Sequence, residues 1–377
     1  MTICLVSQTA CAAAALLLAV GQAFAATPEE EFAALYLEAF ERRLEELGPE
    51  DERSIVALRD YAALLLAQDR PSEAEPRLRV LVELAPTAQH LALLAETRAA
   101  EGDSEETEAL LRRALHLERE PNTILRLASL LEGEARWNEA EKLYEEATNA
   151  QAEPGALVRL AALREARGVP DEAETTYRRA LALQLSARGE SHPETAAILN
   201  NLGLLLAAQG RLDEAASLVQ RALAAYRGTV GARTPEAAAT LDNLGNIRRA
   251  QGDLPVAEEL LRQALVLKVQ ALGPQHAEVA VTLNNLGGAL HLMKRLDDAE
   301  PLYRRALTIQ KAELEAQHPD VAETLYNLGH LLLQQGKRME AAEVFREART
   351  IRVAAFGEGD PFAVEIARLL TRLATGN

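Results

Sequence analysis

The amino-acid sequence predicts an all-α fold, a right-handed superhelical solenoid of antiparallel helix pairs. The first supporting observation is composition, because hydrophobic residues make up 48% of the 377 residues and aromatic residues only 4%. The apolar residues are therefore mostly Ala and Leu, which suit closely packed helices. The second observation is an internal repeat, in which small residues recur at fixed spacings. This periodicity favours one extended array of helical hairpins over several separate globular domains.

Three columns of small residues define the repeat. The first column is spaced by 33 residues three times and then by 42 residues four times, and consists of Ala74, Thr107, Ala140, Ala173, Ala215, Ala257, Ala299 and Ala341. The second column lies twelve residues upstream and consists of Ala62, Ala95, Ala128, Ala161, Gly203, Gly245, Gly287 and Gly329. The third lies seven residues downstream and consists of Leu81, Ala114, Ala147, Ala180, Ala222, Ala264, Ala306 and Ala348. Short side chains at these positions let packed helices approach closely.

Two further signals complete each predicted hairpin. Polar turns lie between the first two columns and carry a glycine such as Gly210 or Gly252, which suits the left-handed conformation after a helix. A mostly bulky residue follows the first column by four positions, and consists of Leu78, Leu111, Tyr144, Tyr177, Val219, Leu261, Tyr303 and Phe345. These columns resemble the tetratricopeptide repeat, in eight copies from about residue 53 to about residue 350. The 42-residue form in residues 190–360 is similar to the repeats of kinesin light chain.

The spacing predicts five segments in the chain. Residues 1–25 are a signal peptide, residues 26–50 an N-terminal capping helix, residues 51–187 four repeats of about 33 residues, residues 188–358 four repeats of 42 residues, and residues 359–377 a C-terminal capping helix. Nine extra residues correspond to roughly 13 Å of added helix, shared between the two helices of a hairpin. The junctions place His192, His276 and His318 at equivalent positions before a helix, and this predicts a capping role for these side chains.

The N-terminal segment predicts export. Residues 1–25 contain no charged side chain, and residues 10–20 are an uninterrupted apolar run that is too short to span a bilayer. Ala23 and Ala25 match the small-x-small pattern of a cleavage site, which predicts cleavage after Ala25 and a periplasmic or secreted protein. Both cysteines, Cys4 and Cys11, lie in this segment. An uncleaved N-terminus that anchors the chain to the membrane is the alternative.

The charge of the chain is unevenly distributed. Residues 26–187 contain 34 acidic and 19 basic residues, a net charge of −15, whereas residues 188–377 contain 23 and 21, a net charge of −2. This balance argues against nucleic acid and anionic membrane as partners, because both favour clustered Lys and Arg. It predicts that a basic protein partner would be steered towards the first four repeats.

The first helices of such a solenoid line a concave groove, and the register identifies the residues that face it. One column consists of Asn201, Asn243, Asn285 and Asn327, each followed by Leu-Gly, and the preceding positions are Asn200, Asp242, Asn284 and Tyr326. An Asn amide offers two donors and an acceptor, which suits hydrogen bonding to the backbone of an extended peptide. The resemblance to kinesin light chain implies that the matching Asn residues contact cargo peptide. The alternative is that they bond to a neighbouring helix.

Other side chains face the same predicted groove. In the long repeats these are Asn246, Arg249, His291 and His330. In the short repeats they are Arg59, Arg126 and Arg159.

The sequence predicts no catalytic residue, metal site, cofactor or small-molecule substrate. It contains no His-Glu-x-x-His pair and no phosphate-binding glycine-rich loop, and its cysteines lie within the signal segment. The leading hypothesis is a non-enzymatic, exported adaptor whose groove holds an extended peptide or a segment of a partner protein. One alternative is an architectural subunit of a larger complex, which would use its outer face or its ends. Another is a non-catalytic regulatory subunit of an enzyme.

Overall fold

The computed structural model describes residues 28–229, 234–314 and 317–375, with side chains for all of these except 28–33 and 229. Every helix or strand in these ranges is an α-helix, which confirms the all-helical prediction. The predicted signal segment, residues 1–25, lies outside them. The chain divides into two compact units, Met1–Arg167 and Gly168–Asn377. None of the described helices is long and apolar enough to cross a membrane.

Each unit is a succession of helices that pack against their neighbours in the chain. The helices of the first unit are α1 Pro28–Leu47, α2 Glu52–Ala67, α3 Pro71–Leu84, α4 Ala88–Ala100, α5 Ser104–Leu117, α6 Pro121–Gly133, α7 Trp137–Ala150 and α8 Pro154–Ala166. Those of the second are α9 Pro170–Arg188, α10 Pro193–Ala208, α11 Leu212–Thr229, α12 Pro235–Ala250, α13 Leu254–Leu272, α14 Ala277–Leu292, α15 Leu296–Glu313, α16 Pro319–Gln334, α17 Arg338–Phe356 and α18 Pro361–Thr375. The predicted hairpins within the units are pairs such as α4 with α5 and α10 with α11.

The two helices of each long hairpin cross where a glycine faces a bulky side chain. A Cβ atom at Gly287 would lie 2.9 Å from the Tyr303 ring, and one at Gly329 would lie 2.6 Å from the Phe345 ring. Tyr303 and Phe345 are themselves almost completely buried. The absence of a side chain at the crossing therefore lets these aromatic rings fill the interior of the hairpin.

The turn inside each hairpin follows the predicted glycine pattern. Gly210 has a φ of +80°, and the chain closes the helix with a hydrogen bond from the Arg211 N–H to the Leu206 carbonyl of 2.9 Å. This arrangement satisfies carbonyl groups at the end of the first helix. The equivalent turn position is occupied by Asp69, Ala135 and Lys294 in three hairpins, and these residues also have positive φ.

The extra residues of the long repeats are divided between the helices and the junctions. In the short repeats α6 has 13 residues and α7 has 14, whereas in the long repeats α12 has 16 and α13 has 19. The lengthening begins in α9, which has 19 residues although α8 has 13. The change in repeat length therefore starts at a second helix.

Three of the junctions are capped by histidine, as predicted. The Nδ1 atoms of His192, His276 and His318 accept hydrogen bonds of 3.2–3.3 Å from the backbone N–H two residues later. These bonds satisfy one of the free N–H groups at the start of α10, α14 and α16. The capping role of the three histidines is confirmed.

Candidate functional site

The candidate site is the surface of the second unit formed by α10, α12, α14 and α16, which we call the first-helix face. Consecutive members of this set contact one another. The predicted groove residues on these helices are only partly exposed, and consist of Asn200, Asn201, Asn243, Asn246, Arg249, Asn284, Asn285, His291, Asn327 and His330. The structure therefore places all ten on adjacent helices of one unit.

A ladder of side-chain hydrogen bonds connects the first helices. Asn243 Nδ2 donates to Asn200 Oδ1 at 3.0 Å, and Asn327 Nδ2 donates to Asn284 Oδ1 at 3.1 Å. Asn285 Nδ2 makes longer bonds, of 3.4 and 3.5 Å, to the carboxylate of Asp242. Each rung joins an Asn to the position before the corresponding Asn of the preceding repeat. One donor of each amide is therefore used within the protein.

Asn201 differs from the other three members of its column. Its side chain makes no hydrogen bond to any described residue, and its amide therefore remains available. At the opposite end, Tyr326 takes the position of the accepting Asn, and its hydroxyl donates to Glu365 Oε1 at 2.7 Å. The ladder thus begins with an unused amide and ends with a tyrosine.

A buried ion pair lies beneath the middle rung. Lys268 Nζ is 3.4 Å from Asp242 Oδ2 and 2.9 Å from Glu278 Oε2, and the Lys268 and Asp242 side chains are only 4% and 7% exposed. Burial raises the pKa of the Asp242 carboxyl, although Lys268 and Asn285 oppose this effect. Lys268 therefore connects the end of α13 to the start of α14 and offsets the burial of Asp242.

Arg249 lies beside an open position in the first-helix face. Its Nη2 makes one long hydrogen bond, of 3.5 Å, to Asn246 Oδ1, and its buried Nε has no partner. Among the described residues no carboxylate forms an ion pair with its guanidinium. A Cβ atom at Gly288 would lie 3.8 Å from Arg249 Nη1 and 3.7 Å from the Tyr303 hydroxyl. Gly288 therefore leaves space next to a charged group with unused donors.

His291 and His330 lie close enough to influence each other. Burial lowers the pKa of His291, and Lys294 and His330 lower it further. Burial also lowers the pKa of His330, which packs edge-on against Tyr326 with ring centroids 4.5 Å apart. Both Nε2 atoms are buried without a hydrogen-bond partner. The two rings are thus held in the neutral form near neutral pH.

The arginines predicted for the short repeats have partners within the first unit. Arg59 bonds to its neighbour Asp60, and Arg126 Nη1 lies 2.8 Å from Glu96 Oε2. Arg159 Nη1 donates to Ser129 Oγ at 3.2 Å. Arg126 and Arg159 occupy the same repeat position as the three ladder donors Asn243, Asn285 and Asn327, so this position bonds to the preceding repeat in members of both kinds of repeat.

Sequence reasoning missed Gly288, Lys268 and the role of Asp242 as a buried acceptor. The sequence did contain an indication of each, because these residues differ from the residues at the equivalent positions of the other long repeats. Gly288 stands where other long repeats carry Leu204, Asn246 and His330, and Lys268 stands where the neighbouring repeats carry Tyr226 and Gln310. No cluster of three or more His, Cys, Asp or Glu side chains in the described ranges could hold a metal ion.

Comparison with known proteins gives the family. A model described as tetratricopeptide repeat matches residues 153–228, 236–312 and 278–354, together just over half of the chain. No curated protein matches. A solved tetratricopeptide repeat protein from Parabacteroides merdae is 17% identical, with a TM-score of 0.55, over 75% of this chain and 98% of that one. The solved Cut9-Hcn1 hetero-tetramer of APC/C is 16% identical, with a TM-score of 0.53, over 90% of this chain and 62% of that one.

The repeats of a kinesin light chain from Podosopora anserina are 24% identical, with a TM-score of 0.47, over 53% of this chain and 94% of that one. The Parabacteroides merdae protein and Cut9-Hcn1 have the higher TM-scores, and at 16–17% identity they show similarity of fold alone. The family model covers α8 and nearly all of the long repeats. The chain belongs to the tetratricopeptide repeat family.

Proposed function

We propose that this protein is an exported adaptor whose first-helix face binds an extended segment of a partner protein. Tetratricopeptide repeat proteins generally mediate protein–protein interactions or complex assembly and are typically non-catalytic. The observation that carries the proposal is that two polar side chains on this face keep unused donors, the amide of Asn201 and the guanidinium of Arg249. Unpaired polar groups are uncommon in folded proteins, and a ligand that pairs with them is stabilised.

The shape and polarity of the face suit a peptide backbone. Small side chains such as Ala197, Ala239 and Gly288 lie between the polar positions and leave room for a chain to approach. Leu204 and Leu292 are 37% and 53% exposed, so a bound segment would also bury apolar surface. Backbone carbonyl groups would accept hydrogen bonds from Asn201 and Arg249 irrespective of the sequence of the segment.

The ladder determines which substitutions test the proposal. Asn243, Asn285 and Asn327 contribute to the contacts between repeats, so their loss would affect folding whether or not they touch a ligand. Asn201 forms no rung, and Arg249 has only one long bond. Substitutions of these two residues therefore separate binding from stability.

The experiment compares capture of partner proteins from an extract by the full chain and by Asn201→Ala combined with Arg249→Gln. We expect capture of the specific partner to fall by about tenfold or more, with thermal melting unchanged, because polar contacts at a binding site are lost. The matched control is Arg262→Gln on α13, whose side chain is half exposed and pairs with Glu258. Equal capture by the double variant and the control would contradict the proposal.

Export is a separate part of the proposal. It rests on the apolar residues 10–20 and on Ala23 and Ala25. The test is N-terminal sequencing of the protein recovered from the extracytoplasmic fraction, and we expect a chain that begins at Ala26. A chain that begins at Met1 and remains in the cytoplasm would contradict export without affecting the proposed binding face.

A further inference from the structure

A row of paired glutamates connects consecutive repeats, at the position directly after the first small-residue column. In α9, Glu174 Oε1 lies 2.8 Å from Arg178 Nη2 of the same helix, and Glu174 Oε2 lies 2.7 Å from Arg211 Nη1 of the following repeat. We call such a glutamate, paired with a cation of the following repeat, a clamp. The other clamps are centred on Glu75, Glu108, Glu141, Glu258 and Glu300.

The clamps are better shielded from solvent than ordinary surface ion pairs. Their glutamate side chains are only 15–24% exposed, and partly buried pairs are screened less by salt than exposed ones. A hydrogen bond from Lys337 lowers the pKa of Glu300 to about 2. Each clamp therefore strengthens the contact between two neighbouring repeats, and such contacts determine how far a repeat array behaves as one body.

One joint in the second unit has no clamp, and we call it the unclamped joint. It connects the hairpin of α10 and α11 to that of α12 and α13. Ala216 takes the position of the glutamate, and Asp253 takes the position that a cation occupies in the other long repeats, as Arg211, Arg295 and Lys337. Between described residues no ion pair crosses this joint, whereas at least one crosses every other joint between consecutive repeats.

Other contacts at the unclamped joint do not replace the missing ion pair. Gln251 Nε2 donates to Asp213 Oδ1 at 2.6 Å, which is a bond from a neutral amide. The apolar packing is the same as at the next joint, because Ala222 and Ala238 are fully buried and so are their equivalents Ala264 and Ala280. The two joints therefore differ in their charge interactions and not in their apolar contacts.

We propose that the second unit bends at the unclamped joint, so that α9–α11 and α12–α18 move as two blocks. The loss of both clamp partners leaves no carboxylate or cation without its counterpart, so the joint is weaker without being strained. Asn201 on α10 and Arg249 on α12 lie on opposite sides of it. Bending accordingly changes the spacing between these two donors of the first-helix face, and it occurs whether or not that face binds a partner.

Spin labels at equivalent positions measure the motion of each joint separately. Pairs of cysteines are introduced into the full-length chain after Cys4 and Cys11 are replaced by Ser. The labelled positions are exposed, lie on second helices and are 42 residues apart, and consist of Ala182, Ala224, Val266 and Thr308. Double electron–electron resonance then gives the distance distribution for the pairs 182/224, 224/266 and 266/308.

Two variants change the clamps in opposite directions. Ala216→Glu combined with Gln220→Arg and Asp253→Arg copies the clamp of Glu258 into the unclamped joint, and we call it the restored variant. Glu258→Ala combined with Arg295→Asp removes the clamp from the next joint, and we call it the broken variant. The 182/224 pair, whose clamp neither variant alters, is the matched control for both.

We expect the broadest distribution for the 224/266 pair at about 0.05 M salt. The restored variant should reduce the population outside its main distance peak by about fivefold, and the broken variant should raise that of the 266/308 pair by a similar factor. At about 1 M salt the distributions of the clamped joints should broaden, because salt screens their ion pairs, and that of the unclamped joint should not.

Equal widths for the three pairs at low salt would overturn the proposal. A 224/266 distribution that the restored variant leaves unchanged would also overturn it. Circular dichroism shows whether each variant keeps its helices, and if the restored variant loses them, the 266/308 distribution of the broken variant decides the result. Since no partner protein is added, failure of the proposed binding face would not affect this experiment.

Discussion

The short repeats of the first unit and the long repeats of the second use one repeat position in different ways. In the third and fourth short repeats it holds Arg126 and Arg159, which bond to Glu96 and Ser129 of the preceding repeat. In the last three long repeats it holds Asn243, Asn285 and Asn327, which form the ladder. The position thus connects neighbouring repeats wherever it holds one of these residues, and the side chain at this position determines whether the surface is charged or neutral.

The difference extends to the interior of the hairpins. Short hairpins have Ala at the helix crossing, for example Ala128 opposite Tyr144, whereas long hairpins have Gly, for example Gly287 opposite Tyr303. A methyl group is therefore accommodated in one kind of hairpin and not in the other. One long hairpin, formed by α12 and α13, also buries the ion pair between Lys268 and Asp242.

The largest expected effect concerns that ion pair. Lys268→Met should lower the free energy of unfolding by about 3–5 kcal/mol, because it leaves the buried Asp242 carboxylate without its cation. Chemical denaturation followed by circular dichroism measures the change. The only Trp, Trp137, lies in the first unit, so its fluorescence should report a smaller change.

The next repeat along the chain provides the control for this substitution. Asp242→Asn combined with Lys268→Gln copies Asn284 and Gln310 of the next repeat, and should recover most of the lost stability because no charge remains buried. A single Lys268→Met variant as stable as the wild-type chain would show that the ion pair contributes little.

The next effect compares two adjacent glycines of α14. Gly287→Ala should destabilise by about 1–2 kcal/mol, because its Cβ would lie 2.9 Å from the Tyr303 ring. Gly288→Ala should stabilise by up to about 1 kcal/mol, because alanine favours the helix and its nearest neighbour would lie at 3.7 Å. Equal changes in melting temperature for the two substitutions would contradict the close packing of Gly287 against Tyr303 and the open space at Gly288.

The ladder predicts a smaller effect. Asn327→Ala should lower the free energy of unfolding by about 1 kcal/mol, because it removes a hydrogen bond between repeats. Asn201→Ala should change it by less than about 0.5 kcal/mol, because Asn201 has no such bond. Urea denaturation of both variants makes the comparison. A larger loss for Asn201→Ala than for Asn327→Ala would contradict the ladder as described.

The histidines predict a pH dependence in the long repeats. Folding lowers the pKa of His291 and His330, so the folded state disfavours their protonated form. Stability is therefore highest above the ordinary His value of about 6.5 and falls as the pH drops below it. Replacing both residues by Gln should reduce this loss between pH 7 and pH 5 in denaturation experiments. An unchanged pH dependence would indicate that other groups control it.

The sequence was sufficient to predict the hairpins and their turns. The small-residue columns identified the crossings at Gly287 and Gly329, the glycine pattern identified the turn at Gly210, and the junction spacing identified His192 as a cap. Each of these features depends on neighbours along the chain or on a regular spacing, and both are visible in a sequence.

The partners of the polar side chains could not be predicted in the same way. The sequence indicated that Asn243 and its equivalents face the first-helix side, but the bond to Asn200 depends on the offset between two neighbouring helices.

The most direct test of the central claim asks which surface touches the partner. A photo-crosslinking amino acid is placed at Leu204 on the first-helix face and, in a separate variant, at Val266 on α13, which is 55% exposed. The chain is expressed in its native host, and crosslinked proteins are identified by mass spectrometry. We expect a specific partner to crosslink through position 204 and not through position 266. Crosslinking through position 266 alone would contradict the binding face and favour an architectural role for the outer surface.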